Sequence, residues 1–442
     1  MTRLTPLVSI LILLFLYSGC SRDPLQEPIV KSIPKTPENQ SSKNAPLQNL
    51  PIESSNELIV QFKQGVSTVQ KQAIRQRYEV KTYQTCNCSN QQIEKWEFKE
   101  GIDIEGRKGQ ITQDDVGIES VDNEFSYLME AVTTGWIPYS QSPDLIRSRT
   151  KANNAGITIA ILDTGIHLQK LPVSTPFLYN PGRNTTTLHT DIRVRRNQSP
   201  FVQSSQRPRT PCSYNGQTEI SGWDFVNHDF DTFDDHGHGT KVANVIITNM
   251  ENEQINNYQI LPVKVMNDQG KGSYFDLICG YIYASKKESV SIINMSFGWY
   301  NTPFVLLPKL MSENTHITHI TSAGNSNKNT DFYPHYPSAY PFDNIIAVGS
   351  FNEGKDGKVS FSNYGRNSVD FLSLGTAVPI EDNLGDISYA YGTSFAAPFV
   401  AVKAAKHKID FNETPLEITN RIYTNGTPVS FPTFTKYNVI VE

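Results

Sequence analysis

The chain has 442 residues, 38% of them hydrophobic, which allows two or three domains with ample core. Its formal charge is −5, with 39 Lys and Arg against 44 Asp and Glu, so nothing in the balance argues for a nucleic-acid partner.

Residues 1–20 read as a bacterial export signal. Arg3 supplies the positive end, and Leu7 to Leu16 is an apolar run too short to span a bilayer comfortably. The run closes on Tyr17-Ser18-Gly19-Cys20, which resembles a lipoprotein cleavage box, so Cys20 is the expected lipidation site. An ordinary signal peptide with an incidental cysteine is the alternative. Residues 21–55 are rich in Pro, Ser, Asn, Gln and Lys with few large apolar residues, the composition of a disordered tether. Leader and tether together imply an exported lipoprotein of the cell envelope, membrane-anchored on the periplasmic or cell-surface side.

Residues 56–131 predict a small α+β unit. Leu58 to Phe62 and Ile93 to Phe98 read as strands, and Ser67 caps a helix that runs to Tyr78. Gly117 to Asp122 and Phe125 to Tyr127 close it. Cys86-Asn87-Cys88 has no second pair at metal spacing and reads as a loop with incidental thiols. Outside the cytoplasm a disulfide among Cys86, Cys88, Cys212 and Cys279 is permitted, with pairing open.

Ile157 to Leu162 is an apolar run ending in Asp163, read as a buried parallel strand with the carboxylate at its C-terminal end. Residues 171–219 are loop-like, with six prolines and the basic residues Arg193, Arg195, Arg196, Arg207 and Arg209. They read as a solvated surface excursion, with an exosite for acidic substrates as the sharper alternative. Asp234-Asp235-His236-Gly237-His238-Gly239-Thr240 opens an apolar helix at His238. Its carboxylates and paired imidazoles are a weak zinc signal, because a third ligand and geometry are missing. Val263 to Ser273 reads as a strand and a glycine-bounded turn, and Asp276 to Glu288 as a helix. Ser296-Phe297-Gly298 reads as an exposed edge able to take an extended peptide by strand addition. Trp299 either bounds a subsite there or packs away. Ala323-Gly324-Asn325 offers a side-chain amide beside that edge. Gly392-Thr393-Ser394 leads into a helix of small residues, which sets the Ser394 hydroxyl beside unpaired amides at the positive end of the dipole.

Alone, Gly-Thr-Ser is ordinarily a turn and a cap. With Asp163 and His238 upstream, it completes the residue set of nucleophilic acyl transfer, in one of the chain orders in which that set arises independently. Leu162-Asp163-Thr164-Gly165 also matches an aspartic-peptidase signature. That chemistry needs two such carboxylates, and the chain holds one Asp-Thr-Gly.

The segments around Asp163, His238, Leu261 to Val265, Ser291 to Gly298, Thr321 to Asn325, Ser360 to Gly365 and Gly392 to Pro398 resemble those of subtilisin-like serine peptidases, in family order over roughly residues 132–425. The resemblance implies an α/β fold: a doubly wound, mostly parallel sheet with helices on both faces, over residues 132–442. It implies a serine endopeptidase with Asp163, His238 and Ser394 as catalytic residues and Asn325 in the oxyanion hole. Ser296, Phe297 and Gly298 would bind substrate. Residues 56–131 resemble the family's propeptide by position, size and element order, so the chain's own N-terminal unit is an expected inhibitor and polypeptides are the expected substrates. Self-cleavage between about Glu130 and Trp136 would then leave the two parts held by non-covalent contact alone. No cofactor is expected; structural calcium is common in the family, but no ligands are assignable. A catalytically silent binding protein and a maturation peptidase dedicated to one partner remain the alternative readings.

Overall fold

The computed structural model describes residues 50–87, 90–114, 117–129, 146, 156–172, 178–181, 211–287, 289–351, 357–429, 434–437 and 439–441. The expected signal, Cys20, nearly all of the tether, the expected cleavage stretch and the basic part of residues 171–219 lie outside these.

The N-terminal part comprises β1 (Ile52–Phe62), α1 (Thr68–Arg77), β2 (Thr82–Cys86), β3 (Asn90–Glu97), α2 (Ile104–Asp114) and β4 (Ile118–Leu128). Ser67 does start α1: its hydroxyl accepts from the Gln70 amide, and the Gln70 side chain accepts from the Ser67 amide, satisfying two otherwise orphaned donors. The helix α2 carries Gly106 and Gly109, which hid it from a propensity reading. The strands form an antiparallel sheet in which alternate residues serve different cores. Leu58, Val60 and Phe62 join Ile74, Trp96, Ile111 and Val121 in a core of the N-terminal part itself. Ile59 and Ile93, on the opposite face, enter the main core of the rest of the chain.

That rest is built on β5 (Ile157–Asp163), β6 (Trp223–Asp224), α3 (His238–Asn252), β7 (Tyr258–Lys264), β8 (Lys271–Ser273), α4 (Tyr274–Ser285), β9 (Val290–Met295), α5 (Leu306–Glu313), β10 (Thr318–Ser322), β11 (Ile345–Phe351), β12 (Phe371–Leu374), α6 (Thr393–Phe411), α7 (Pro415–Asn425), β13 (Thr427–Pro428) and β14 (Val439–Val441). Nine strands form one sheet in the order β13-β14-β12-β11-β10-β9-β5-β7-β6. All pairings are parallel except that of β13 with β14. Every residue of β5 is buried, as its uninterrupted apolar run requires of a strand covered on both faces. Ile157, Ile159 and Ile161 face the layer of α3 and α6, while Ala160 and Leu162 face the layer of α4 and α5. This is a doubly wound α/β architecture. The chain leaves β5 toward β7 on one side and β9 on the other, so a crevice opens at the C-terminal end of β5.

The described parts of residues 171–219 are not a loose excursion. Leu178 and Tyr179 are buried, and Leu178 bridges to Ile260 of β7. Glu219 is buried against Lys287 and the Tyr283 hydroxyl.

Candidate active site

Three loops leave the sheet at that crevice. Asp163 is the last residue of β5, and His238 is the first of α3. Both are fully buried. The His238 Nδ1 lies 2.8 and 3.0 Å from the two carboxylate oxygens of Asp163. A carboxylate only accepts, so Nδ1 carries the proton and Nε2 is left as the acceptor. That Nε2 is buried without a hydrogen-bond partner. Asp163 also accepts from the Thr164 amide at 2.7 Å, which fixes its plane.

The approach to His238 is organised by Asp234, which is fully buried. Its carboxylate accepts from the amides of His236, Gly237 and Thr240 and from the hydroxyls of Thr164 and Thr240, at 2.6 to 3.1 Å. It caps the start of α3 and ties it to the loop after β5. The Asp234 carboxylate is thus taken up by amides and hydroxyls, and Asp235 beside it pairs with Lys264 at 2.8 Å. Gly239 is where the helix crosses that loop: a Cβ there would stand 2.3 Å from the Gly165 carbonyl oxygen and 3.1 Å from the Asp163 Cβ. Burial and the neighbouring His238 hold the His236 imidazole below its ordinary pKa. Lys241, one turn on, is itself pushed down by burial.

Ser394 lies in the first turn of α6, after Gly392 at φ 137°. Its hydroxyl donates to the Ser296 carbonyl at 2.8 Å, while the Ser296 hydroxyl donates to the Ser394 carbonyl at 2.9 Å. This exchange pins the start of α6 to the loop after β9. The next side chain, Phe395, packs on the His238 ring with centroids 5.3 Å apart. The structure therefore joins Asp163 to His238 at the start of α3, while Ser394 stands at the start of α6 with its hydroxyl turned to Ser296 and its neighbour Phe395 on the His238 ring. Asn325 follows β10, and its side-chain oxygen accepts from the Thr393 amide at 2.8 Å and hydroxyl at 3.0 Å. A Cβ on Gly392 would stand 3.4 Å from the Asn325 Nδ2, so the side-chain amide lies beside the entry to α6.

Ser296, Phe297 and Gly298 are buried, where the sequence predicted an exposed edge. Tyr127 of the N-terminal part covers Phe297, whereas Ser296 is enclosed by Asn294 and Ser394 and Gly298 by His335 and Tyr336. The strand β4 pairs antiparallel with β8, Ser126 opposite Ser273, Tyr127 opposite Gly272 and Leu128 opposite Lys271. The Met129 amide extends the ladder to the Gly270 carbonyl at 2.9 Å. Tyr127 stacks on Phe297 with centroids 5.2 Å apart, and a Cβ on Gly272 would stand 2.4 Å from its ring. Phe125 lies among Tyr274, Trp299 and Phe304. Trp299 is fully buried in that aromatic cluster, its Nε1 donating to the Thr302 carbonyl, and so bounds the space around Phe125 and Tyr127. Reading 270–273 as a turn missed this strand-accepting edge. The signal for it was Gly272, a residue without a side chain beside an apolar cleft.

The Subtilase family model matches residues 154–427, more than half of the chain. The chain belongs to the subtilase family. Among curated subtilases, a thermophilic serine proteinase of Bacillus sp. (strain AK1) is 30% identical over 235 residues, covering 50% of this chain and 56% of that protein. A cell wall-associated protease of Bacillus subtilis (strain 168) is 30% identical over 188 residues, covering 41% of this chain and 20% of that protein. The chain thus spans little more than half of the first relative and a fifth of the second. A solved structure of a cold adapted subtilisin-like serine proteinase is 22% identical, covering 70% of this chain and 95% of that one, with a TM-score of 0.47.

Proposed function

We propose that this subtilase is a serine endopeptidase that cuts extended polypeptide segments. The observation that carries the reading is the buried Asp163–His238 pair, with its unpartnered Nε2, at a crevice into which the start of α6 delivers Ser394. In this reading a rotation about the Ser394 Cα–Cβ bond moves the hydroxyl from the Ser296 carbonyl to His238. The imidazole takes the proton as the oxygen attacks the scissile carbonyl, and Asp163 stabilises the imidazolium. The Ser394 amide, in a first turn without intrahelical acceptors, and the Asn325 NH₂ receive the oxyanion.

Residues 56–131 act as a propeptide. Their last described residues lie along β8 as a substrate would, with aromatic side chains at alternate positions, so the preferred substrates are extended and carry large apolar residues there. Self-cleavage falls between about Glu130 and Trp136. Cys20 is lipidated, the residues from 21 up to the start of β1 at Ile52 tether the unit to the envelope membrane, and residues 132–442 are the peptidase domain. The inert alternative, a binding protein of the same fold, is disfavoured because each of the four site positions carries a competent side chain.

The test is mass spectrometry of the protein with a fluorophosphonate probe, wild type beside Ser394→Ala. Labelling of the wild type alone, with shortening after residues 129–136, supports both readings. Labelling without shortening keeps the peptidase and makes residues 56–131 an accessory domain. No labelling after the N-terminal part has been separated points to a binding protein.

A further inference from the structure

The sequence reading left the N-terminal part held to the remainder by non-covalent contact alone once the chain between them is cut. The structure contradicts this. Cys86, at the end of β2, is disulfide-bonded to Cys279, in the middle of α4 and 193 residues away. Both cysteines are buried, and Cys212 is disulfide-bonded as well. The bond joins the two parts across the interface that also carries the β4–β8 ladder.

We infer that the face of α4 is a permanent docking surface for the chain's own N-terminal part, closed covalently by Cys86–Cys279, so that a cut after Met129 yields a two-chain protein and not a released inhibitor. The inference rests on the propeptide reading above. The rest of the interface fits a partner that stays. Asp122 of β4 accepts from the Val305 and Leu306 amides at the start of α5, and Glu124 accepts from the Phe275 amide at the start of α4. Gln84 meets His228 at 2.9 Å, and Lys309 pairs with Glu119. Ile59, Ile93, Phe125 and Tyr127 are continuous with the main core. A linked strand sees its cleft at an effective concentration on the order of millimolar. The occupied site therefore does not clear by dilution. It clears when a dithiol reduces the bond: Cys86 and Cys279 each leave as a thiol with a proton, and the reductant becomes its own disulfide.

The experiment takes the full chain in detergent, purified with free thiols blocked, wild type beside Ser394→Ala. An unreduced tryptic digest should contain peptides 82–95 and 272–286 joined, with or without the Cys212 peptide 210–241 attached, in both proteins. Their absence overturns the inference, whether or not the protein processes itself. On denaturing gels the cut wild type should run as one species without dithiothreitol and two with it. Two pieces separating without reductant also overturns it. A wild type that stays one chain under both conditions refutes self-processing instead, and the joined peptides still decide the bond. For the cut protein at about 1 µM, labelling by the fluorophosphonate should stay slow on hundred-fold dilution without reductant. With dithiothreitol it should rise at least ten-fold, since the linked strand has a roughly 10³-fold concentration advantage. Equal rates with and without reductant would show that the retained part does not block the site.

Discussion

Asp234 receives five hydrogen bonds from three amides and two hydroxyls and never touches the reacting groups. Asp234→Ala should therefore lower stability by at least about 3 kcal/mol, because buried donors lose a charged acceptor together. It should also slow turnover by loosening the helix start that carries His238; urea unfolding and fluorophosphonate labelling of the same preparation separate the two effects. Asn325→Ala is expected to cost about 1–3 kcal/mol of stability, because the buried Thr393 amide and hydroxyl lose their acceptor, and about 10²–10³ in turnover, a range taken from subtilisin, the worked example for this donor, and not computed from this geometry. An unchanged kcat would remove Asn325 from the oxyanion hole. At this scale the sequence was legible where one local motif fixes where a residue sits in the fold. Asp163 ends an apolar run and His238 opens an apolar helix. Cys86 was not legible, because its partner lies 193 positions away and nothing local distinguishes an incidental thiol from a bonded one. The orientation of the Ser394 hydroxyl toward Ser296 is likewise a product of tertiary packing.

The strand β4 and helix α4 meet through two carboxyls, the buried Glu124 and the half-buried Asp276. Burial raises the pKa of Glu124 to about 8, with Asp276 and Glu57 adding to the rise and Lys95 and Ser273 opposing it. Burial likewise raises Asp276 to about 7. A carboxyl raised by folding takes up a proton as the structure forms. Its contribution is complete below the ordinary value of 4.5 and is lost as the pH climbs through about 8. The melting temperature of Ser394→Ala protein should therefore fall between pH 5 and 8, and more steeply than in the Ser394→Ala, Glu124→Gln double variant. Parallel profiles would count against Glu124 as the source. Most elements were readable from periodicity and caps, β5 and the Ser67 helix start among them. The exceptions share a cause. The helix α2 holds two glycines, and β8 is three residues whose strand character exists only because β4 lies beside it.

Over the whole molecule, the candidate site sits where the winding direction of the sheet reverses, and that placement follows from the order of the strands. The doubly wound architecture was legible because parallel, doubly covered strands leave long apolar runs. The packing of the N-terminal sheet against α4 was not, since Ile59 looks in the sequence like any other apolar residue of its strand. Yet that one residue marks a strand with two inner faces, Leu58, Val60 and Phe62 toward one core and Ile59 toward the other.

For anyone wishing to manufacture the protein, that double allegiance has a practical meaning. A gene trimmed to begin at codon 132 would encode every candidate site position and lack the lining for Tyr274, Phe275, Phe297, Trp299 and Phe304, which would face water together. Such a product should be recovered mainly in inclusion bodies. Supplying residues 50–131 as a second polypeptide, under oxidising conditions, should return it to the soluble fraction, as would be read from paired expression yields.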